Sequence, residues 1–208
     1  MDGYAGRGGH GGRAVRIIAG KYRSRPLHAL RGMDLRPTSD RLRETLFDVL
    51  TAGNPAALAG SRWLDLFAGT GAVGIEAISR GASEVHFVES SASAFAAIRQ
   101  NLESLGIAHG FHLTHAEVPR ALGRIERQGL TADVVFLDPP YRLKDAYGNT
   151  LRALADSSLL AARSVVIAEH ERKFDPGSEF GSLRRFRILP QGSAALSFYQ
   201  RGNSGGAE

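Results

Sequence analysis

A ten-residue stretch decides the fold of this chain: DLFAGTGAVG, residues 65–74. A short apolar run, 63–67, leads into the glycines, and a helical pattern follows from residue 72. Gly69, Gly71 and Gly74 have the spacing GxGxxG, which lets the backbone turn tightly and pass close to a ligand at the N-terminus of a helix. The stretch therefore predicts the strand, ligand-binding turn and helix that begin an open α/β sheet.

Strand and helix patterns alternate on both sides of this stretch. Strands are predicted at 63–67, 85–89, 111–114, 134–138 and 165–169. Helices are predicted between them, at 72–80, 91–105, 117–128 and 147–162. Two further strand-like runs, 184–189 and 194–200, are separated by a short turn segment and predict an antiparallel hairpin. The expected fold is a doubly wound, mostly parallel, seven-stranded α/β sheet of the Rossmann-like kind, closed by a C-terminal hairpin.

The chain divides by composition into four segments. We expect a disordered Gly/Arg tail at 1–14, a basic N-terminal segment with a helix at 15–57, the α/β domain at 58–201 and a disordered tail at 202–208. Pro37 marks the start of the helix in the second segment, since proline is favoured in a first helical turn.

Composition excludes several classes of protein. The 208 residues include no cysteine, which excludes disulfides, Cys-ligated zinc, iron–sulfur clusters and thiolate nucleophiles. No apolar run approaches 18 residues, and the glycine-rich start does not have the pattern of a signal peptide. We expect a cytoplasmic protein without a membrane partner, a monomer, and no bound metal.

Positive charge is concentrated at the front of the chain. The net charge is +5, yet residues 1–43 contain ten basic and three acidic residues, so the remainder is slightly negative. A basic front end on a near-neutral body indicates a polyanionic partner such as RNA.

Two acids flank the glycine turn and bear on the choice of ligand. Asp65 lies four residues before Gly69, where a carboxylate would repel the pyrophosphate of a dinucleotide but attract the ammonium and sulfonium of S-adenosylmethionine. Glu89 ends the next strand, where its carboxylate can accept hydrogen bonds from both ribose hydroxyls of either ligand. Both acids can also serve as ordinary strand-end residues.

A second motif, Asp138-Pro139-Pro140-Tyr141, ends the fourth predicted strand. Two prolines remove two N–H donors, so the segment presents mainly hydrogen-bond acceptors. Asp138 and the Pro139 carbonyl can each accept a hydrogen from an exocyclic amino group, and Tyr141 can stack on a base turned out of its helix. The alternative for these four residues is a strand-ending turn.

Together the two motifs resemble class I S-adenosylmethionine-dependent methyltransferases that act on an amino group of a nucleobase. The front end, RIIAGKYRSRPL (16–27) and RPTSDRLRETLF (36–47), with Ser-Phe-Tyr at 197–199, resembles the RsmD family over about residues 15–201. That resemblance implies methylation of guanine N2 in 16S ribosomal RNA, with the RNA presented in a small ribosomal subunit or its assembly intermediate. Ser24 stands where the family often has glycine.

The candidate site residues form three sets. The catalytic set is Asp138, Pro139, Pro140 and Tyr141. The residues expected to bind S-adenosylmethionine are Asp65, Phe67, Ala68, Gly69, Gly71, Glu89 and Glu117. The residues expected to bind RNA are Lys21, Arg23, Arg25, Arg36, Thr38, Arg41 and Arg43.

Three alternative functions are compatible with parts of this pattern. An adenine-N6 methyltransferase acting on DNA or RNA uses the same Asp-Pro-Pro-Tyr chemistry. An NAD-dependent oxidoreductase has the glycine turn, but Asp65 and the terminal hairpin disfavour it. The third alternative is a non-catalytic RNA-binding assembly factor with the same fold.

Overall fold

The structure is a computed structural model that describes residues 15–29 and 37–202, with side chains described from residue 40 onward in the second range. The two predicted tails (apart from Gly202) and Arg36 therefore lie outside the described residues, and so does the side chain of Thr38. Across the described ranges, no helix is both long and apolar enough to cross a lipid bilayer.

Five α-helices and eight β-strands make up the described part of the chain. The helices are α1 Pro37–Thr51, α2 Ala72–Ser79, α3 Ala92–Ser104, α4 Val118–Arg127 and α5 Lys144–Ala155, with a short 3-10 helix at Pro55–Leu58. The first strands are β1 Arg62–Leu66, β2 Glu84–Glu89, β3 Phe111–His115 and β4 Ala132–Leu137. The remaining strands are β5 Leu160–Glu171, β6 Glu179–Phe180, β7 Leu183–Gln191 and β8 Ala194–Arg201.

All eight strands form one sheet in the order β3-β2-β1-β4-β5-β8-β7-β6. The first five are parallel, whereas β8 runs antiparallel to both β5 and β7. This confirms the doubly wound sheet and the C-terminal hairpin. The strand order reverses between β1 and β4, and ligands of open α/β sheets bind outside the carboxyl ends of the strands at such a point.

Two details of the predicted fold are wrong. The sheet has eight strands rather than seven, because the two-residue strand β6 pairs with β7 across a tight turn and is too short to leave a sequence pattern. The predicted helix 147–162 ends at Ala155 instead, and β5 already begins at Leu160. Buried apolar residues continue from the end of α5 into β5, so helical spacing alone does not reveal the boundary.

Each face of the sheet is covered by helices. One face packs against α4 and α5, while the other packs against α1, α2, α3 and the N-terminal segment 15–29. Phe47 of α1 stacks on Trp63 of β1 with ring centroids 5.4 Å apart, and both rings are fully buried. The N-terminal segment is therefore part of the same hydrophobic core as the sheet.

Two buried polar side chains hold the segment 15–29 in place by hydrogen bonds to its backbone. Glu76 of α2 accepts hydrogen bonds from the backbone N–H groups of Ile18 and Ala19, at 2.7 and 2.9 Å. Asn101 of α3 binds both backbone groups of His28 and also donates to the carbonyl of Thr70 in the glycine turn, at 3.0 Å. Asn101 thereby connects the N-terminal segment to the predicted cofactor loop.

Ser24 has a left-handed backbone, with φ of +67°. A left-handed conformation is unfavourable for residues with a Cβ atom and suits glycine, so glycine would adopt the backbone of this turn with less strain than Ser24.

Candidate active site

A cavity of about 810 Å³ opens at the carboxyl ends of β1, β2, β4 and β5. All four predicted catalytic residues line it: Asp138, Pro139, Pro140 and Tyr141. Six of the seven predicted cofactor residues line it as well: Asp65, Phe67, Ala68, Gly69, Glu89 and Glu117. The seventh, Gly71, lies behind the wall as the N-cap of α2. Residues distant in sequence thus meet at one site because parallel strands end at the same edge.

The glycine turn is held in shape by the acid that precedes it. One carboxylate oxygen of Asp65 accepts a hydrogen bond from the backbone N–H of Gly74 at 2.9 Å, inside the first turn of α2. Burial raises the pKa of Asp65 to about 8, although this hydrogen bond opposes the shift, and the nearby charges of Asp138 and Glu89 raise it further. A cationic ligand in the cavity would favour the ionised form of Asp65.

Gly74 and Gly71 occupy positions that suit no other residue, the first because a side chain would clash and the second because its backbone is left-handed. A Cβ atom on Gly74 would lie 2.3 Å from the ring of Phe87, so no larger residue fits between α2 and β2. Gly71 has φ of +77°, which starts α2 immediately after the turn. Phe67 adopts a positive φ of +60° without being glycine, and strained backbone of this kind concentrates at functional sites.

Glu89, at the end of the neighbouring strand β2, forms a hydrogen bond to the glycine turn. Its two carboxylate oxygens accept hydrogen bonds from the backbone N–H groups of Gly69 and Ser91, at 2.8 and 2.7 Å. A carboxylate has about four lone-pair positions, so each oxygen keeps the capacity to accept one hydroxyl. Glu89 is therefore fixed in place and still able to bind a ribose diol.

Glu117 lies at the N-cap of α4, on the rim of the cavity. Its side chain is exposed and makes no capping hydrogen bond to the helix. This leaves the carboxylate in a position to contact a ligand rather than to stabilise α4.

The residues of the cavity fit S-adenosylmethionine better than a dinucleotide. Five acids line the cavity: Asp65, Glu89, Glu117, Asp138 and Glu169. Such a wall attracts the ammonium and sulfonium groups of S-adenosylmethionine and repels a pyrophosphate. The turn therefore lacks the electrostatics expected of an NAD site.

The segment 138–141 follows β4 directly and enters the cavity. Asp138 is half-buried there, and burial raises its pKa to about 7. The carbonyl of Pro139 accepts a hydrogen bond from the hydroxyl of Tyr147 in α5 at 3.3 Å. A carbonyl has two lone pairs, so Tyr147 can hold this acceptor in place while the carbonyl also receives a substrate hydrogen. Tyr141, half-buried, stands on the cavity wall beside them.

Sequence reasoning missed Glu169 and Tyr147. Glu169 interrupts the buried run of β5 at its carboxyl end, beside Asp138, and its pKa lies well above the ordinary value because of burial and of the charge on Asp138. A charged residue at the carboxyl end of an apolar strand is the signal that could have found Glu169. Tyr147 lies in a helix and carries no comparable signal.

Arg43 is placed differently from the other predicted RNA-binding residues. Its side chain is only 5% exposed, and it binds Asp40 at 3.0 Å and the backbone carbonyl of Arg16. It also lines the cavity, where its charge counteracts the rise in the pKa of Glu169. The structure thus places Arg43 in the wall of the cavity rather than on an open surface.

Four predicted RNA-binding residues are exposed: Lys21, Arg23, Arg25 and Arg41. The backbone N–H groups of Lys21 and Tyr22 donate hydrogen bonds to Ser79. Ser79 is the last residue of α2, at the end that points away from the glycine turn. An eight-residue helix is about 12 Å long, so the turn 21–24 lies about that far from the cofactor loop. Lys21 and Arg23 are therefore remote from the cavity, whereas Arg41 directly precedes Leu42 and Arg43, which line it.

Two histidines of β3, His112 and His115, make different contacts. His112 stacks on His86 and binds Glu84 at 2.7 Å, whereas His115 stacks on Phe95. Ligand atoms of Glu84, His86 and His112 lie within 4.8 Å of one another, at the end of the sheet opposite the cavity. The carboxylate of Glu84 hydrogen-bonds to His112 and lies 3.2 Å from Nε2 of His86.

Solved structures share the fold of this chain. An Escherichia coli protein, provisionally named as the methyltransferase yhhF, superposes with a TM-score of 0.75 over 92% of this chain and 99% of its own, at 27% identity. A Thermus thermophilus protein, TTHA0928, gives the same TM-score over 89% of this chain and 98% of its own, at 28% identity. The fold and the acid-lined cavity together define a methyltransferase of the Rossmann-like class.

Sequence comparison narrows that class. A family model described as "conserved hypothetical protein 95", which represents the RsmD family, matches residues 15–200. The chain belongs to this family. Among similar proteins, YlbH of Bacillus subtilis, provisionally named an rRNA methyltransferase, is 31% identical over 90% of this chain and 99% of its own length. Ribosomal RNA small subunit methyltransferase D of Escherichia coli K12 is 30% identical over 90% of each chain.

Proposed function

We propose that this protein transfers a methyl group from S-adenosylmethionine to the exocyclic N2 amine of a guanine in 16S rRNA. The observation that carries the proposal is the meeting of Asp138–Tyr141 with Asp65 and Glu89 in one cavity. The relatives named as rRNA methyltransferases support RNA as the substrate. No part of the proposal requires a metal.

The cavity would hold the methyl donor by its charged and hydroxyl groups. Asp65 favours the ammonium, Glu89 accepts the ribose hydroxyls and Glu117 contacts the adenine from the rim. S-adenosylmethionine supplies an activated methyl group, whose bond to sulfur breaks as the new C–N bond forms, with the electron pair remaining on sulfur. The protein then has mainly to position the two reactants.

The segment 138–141 would position the guanine. Asp138 and the Pro139 carbonyl accept the two hydrogens of the N2 amine, which localises the nitrogen lone pair toward the methyl group. Tyr141 stacks on the flipped base and excludes water from it. The methylated nitrogen briefly carries a positive charge and loses one proton, which Asp138 accepts in its ionised form and passes to solvent.

Exposed basic residues of the N-terminal segment would hold the surrounding RNA. Lys21, Arg23, Arg25 and Arg41 contact phosphates that flank the target, with Lys21 and Arg23 about one helix length from the cofactor loop. The partner is 16S rRNA in a small ribosomal subunit or its assembly intermediate, where ribosomal proteins help to present the site. We further propose that the protein acts as a monomer in the cytoplasm, with 15–57 as the RNA-binding segment and 58–201 as the methyltransferase domain.

Radiolabelled methyl transfer tests this proposal. Small ribosomal subunits that lack guanine-N2 marks are incubated with the protein and labelled S-adenosylmethionine, and the RNA is digested to nucleosides. We expect N2-methylguanosine, and its loss in Asp138→Asn. Asp156→Asn is the matched control, because Asp156 is exposed at the far end of α5.

Each other outcome of these measurements favours one of the alternative functions. N6-methyladenosine would replace the proposed function with adenine methylation. No transfer to subunits or naked 16S rRNA, despite binding of S-adenosylhomocysteine, would contradict the substrate and favour an assembly factor. Stabilisation by NADH but not by S-adenosylhomocysteine would favour an oxidoreductase.

A further inference from the structure

Glu169 occupies a place in the cavity that the proposed chemistry at N2 does not use. Strands β4 and β5 are parallel, with Leu137 opposite Ala168 in the register. Asp138 and Glu169 therefore follow at the same level, on adjacent strands, and both line the cavity. The cavity wall thus holds two neighbouring carboxyl groups rather than one.

Burial of Glu169 is unfavourable for the folded chain. Desolvation holds its pKa well above the ordinary value, and the charge on Asp138 adds to the effect. Arg43, which is fixed by Asp40 and the Arg16 carbonyl, opposes that shift from the α1 side. A carboxyl group kept at such a cost beside a ligand cavity has the features of a functional group, and a hydrogen-bond donor on the ligand would act together with Arg43 to favour its ionised form.

The hydrogen-bonding edges of the two purines differ beside the reactive amine. In guanine the amine at N2 adjoins N1–H, so two donors lie side by side. In adenine the amine at N6 adjoins an unprotonated N1, which is an acceptor. An ionised carboxylate only accepts hydrogen bonds, so it pairs with guanine N1–H and repels adenine N1.

We propose that Glu169 selects guanine, its carboxylate accepting N1–H of the target base while Asp138 holds the adjacent N2 amine. This inference rests on the proposed function and names the group that separates guanine from adenine at the same site. Asp-Pro-Pro-Tyr by itself serves either amine, so discrimination has to come from another side chain. Sites that hydrogen-bond one substrate group strongly reject an analogue that lacks it.

The first test compares two bases at the target position. Small subunits are reconstituted on transcribed 16S rRNA that carries either guanine or adenine at the nucleotide mapped in the transfer experiment. We expect Glu169→Gln to lower kcat/KM at guanine at least tenfold, because it loses the charge that strengthens the N1–H bond. We also expect the adenine-to-guanine ratio of transfer to rise at least tenfold, because the amide can donate to adenine N1.

Glu171→Gln is the matched control for this variant. Glu171 lies two residues further along β5, is exposed, and does not line the cavity. Its substitution should leave both rates unchanged. Binding of S-adenosylhomocysteine, measured by calorimetry, should stay within twofold of the unmutated protein for both variants, which shows that they are folded.

The second test uses the unmutated protein. A 2-aminopurine at the target keeps the amine at C2 but has no hydrogen on N1, and we expect at least tenfold lower kcat/KM than for guanine. The same base also lacks O6, so the decisive result is that Glu169→Gln removes most of this difference. If Glu169→Gln does not bind S-adenosylhomocysteine, the role of Glu169 is judged from the kcat/KM values of the unmutated protein on 2-aminopurine and on guanine.

Equal rates on 2-aminopurine and guanine, or unchanged base preference in Glu169→Gln, would overturn the role of Glu169. In both cases N2-methylguanosine from the unmutated protein would leave the proposed function intact. Absence of N2-methylguanosine from the unmutated protein would overturn the proposed function and this inference together.

Discussion

Asp138 and Glu169 end adjacent parallel strands, one residue beyond the register pair of Leu137 and Ala168. Their carboxyl groups share one cavity wall, and the pKa of each lies above its ordinary value because of burial. The ligand-free site therefore disfavours negative charge on these two groups, whereas a substrate that donates hydrogen bonds, or a cationic cofactor, favours their ionised forms.

The charge on Asp138 should make stability depend on pH. Its pKa is about 7 in the folded chain, against an ordinary value of 3.8. A carboxyl group with a raised pKa contributes most to stability at low pH, and this contribution is lost as the pH rises toward and through about 7. Asp138→Asn cannot ionise, so its Tm without ligand should exceed that of the unmutated protein at pH 8 and differ less at pH 5.

Thermal melts at the two pH values check this expectation, with Asp156→Asn as the control that should show no such pH-dependent difference. The same Asp138→Asn variant should lose at least about 100-fold in methyl transfer, as expected for removal of a preorganised polar group at a reacting centre. An equal change in Tm at pH 5 and pH 8 would contradict the raised pKa.

Gly74 should tolerate no side chain. A Cβ atom there would lie 2.3 Å from a ring carbon of Phe87 and 2.8 Å from a methyl group of Val85. Overpacking of this kind costs about 1–3 kcal/mol, so Gly74→Ala should lower the free energy of unfolding by that amount and weaken binding of S-adenosylhomocysteine. Urea unfolding and calorimetry measure the two effects.

Gly123→Ala is the matched control for Gly74→Ala. Gly123 also lies in a helix, α4, but the nearest atom to a Cβ there is the end of the flexible Arg127 side chain at 3.8 Å. Alanine is the better helix former, so this variant should gain about 0.5–1 kcal/mol. Destabilisation by both variants alike would show that packing against Phe87 is not the cause.

Lys21 and Arg23 should contribute to RNA affinity through charge alone. Replacing both with glutamine should weaken RNA binding and lower the slope of log affinity against log salt by about 2, since each phosphate contact contributes about one. Binding of S-adenosylhomocysteine should not change, because the turn lies about one helix length from the cofactor loop. Filter binding at several salt concentrations measures the slope.

The control for this pair removes the same charge from the opposite face. Arg120 and Arg124 are exposed on α4, which covers the other side of the sheet. Their replacement by glutamine should leave the slope nearly unchanged. A similar loss of slope in both double variants would mean that net charge, and not the turn 21–24, controls RNA binding.

Among the polar residues, Glu76 should contribute most to holding the N-terminal segment 15–29 against the sheet domain. It is fully buried and binds two backbone N–H groups of that segment together with Arg80 at 2.7 Å. Glu76→Ala leaves these donors unpaired, and breaking a buried ion pair costs about 3–5 kcal/mol. Urea unfolding should show this loss, whereas Glu103→Ala, on the exposed side of α3, should change the free energy by less than about 0.5 kcal/mol.

Limited proteolysis extends the test to the segment itself. In Glu76→Ala, cleavage within 15–29 should precede cleavage elsewhere in the described chain. If the segment resists proteolysis as in the unmutated protein, its attachment depends on the apolar contacts of Ile17 and Leu27 rather than on Glu76.

The local pattern of the sequence predicted most of the fold because strand and helix periods are local properties. The glycine turn after β1 and Asp-Pro-Pro-Tyr after β4 could be placed at the same sheet edge, since parallel strands end together. The boundary between α5 and β5 was misplaced because buried apolar residues occur in both elements. The two-residue strand β6 was missed because pairing, and not composition, defines it.

By itself, the sequence determined the order of the elements, the parallel sheet and the two motifs that meet at its edge. Only the tertiary structure decided which other side chains join them. Pairing of β5 with β4 shifts register between Ala132 and Val134, with Ala132 opposite Leu160 and Val134 opposite Val165, and this irregularity brings Glu169 level with Asp138. The packing of α1 turned Arg43 inward. Both outcomes depend on contacts between residues far apart in the chain, which no local period encodes.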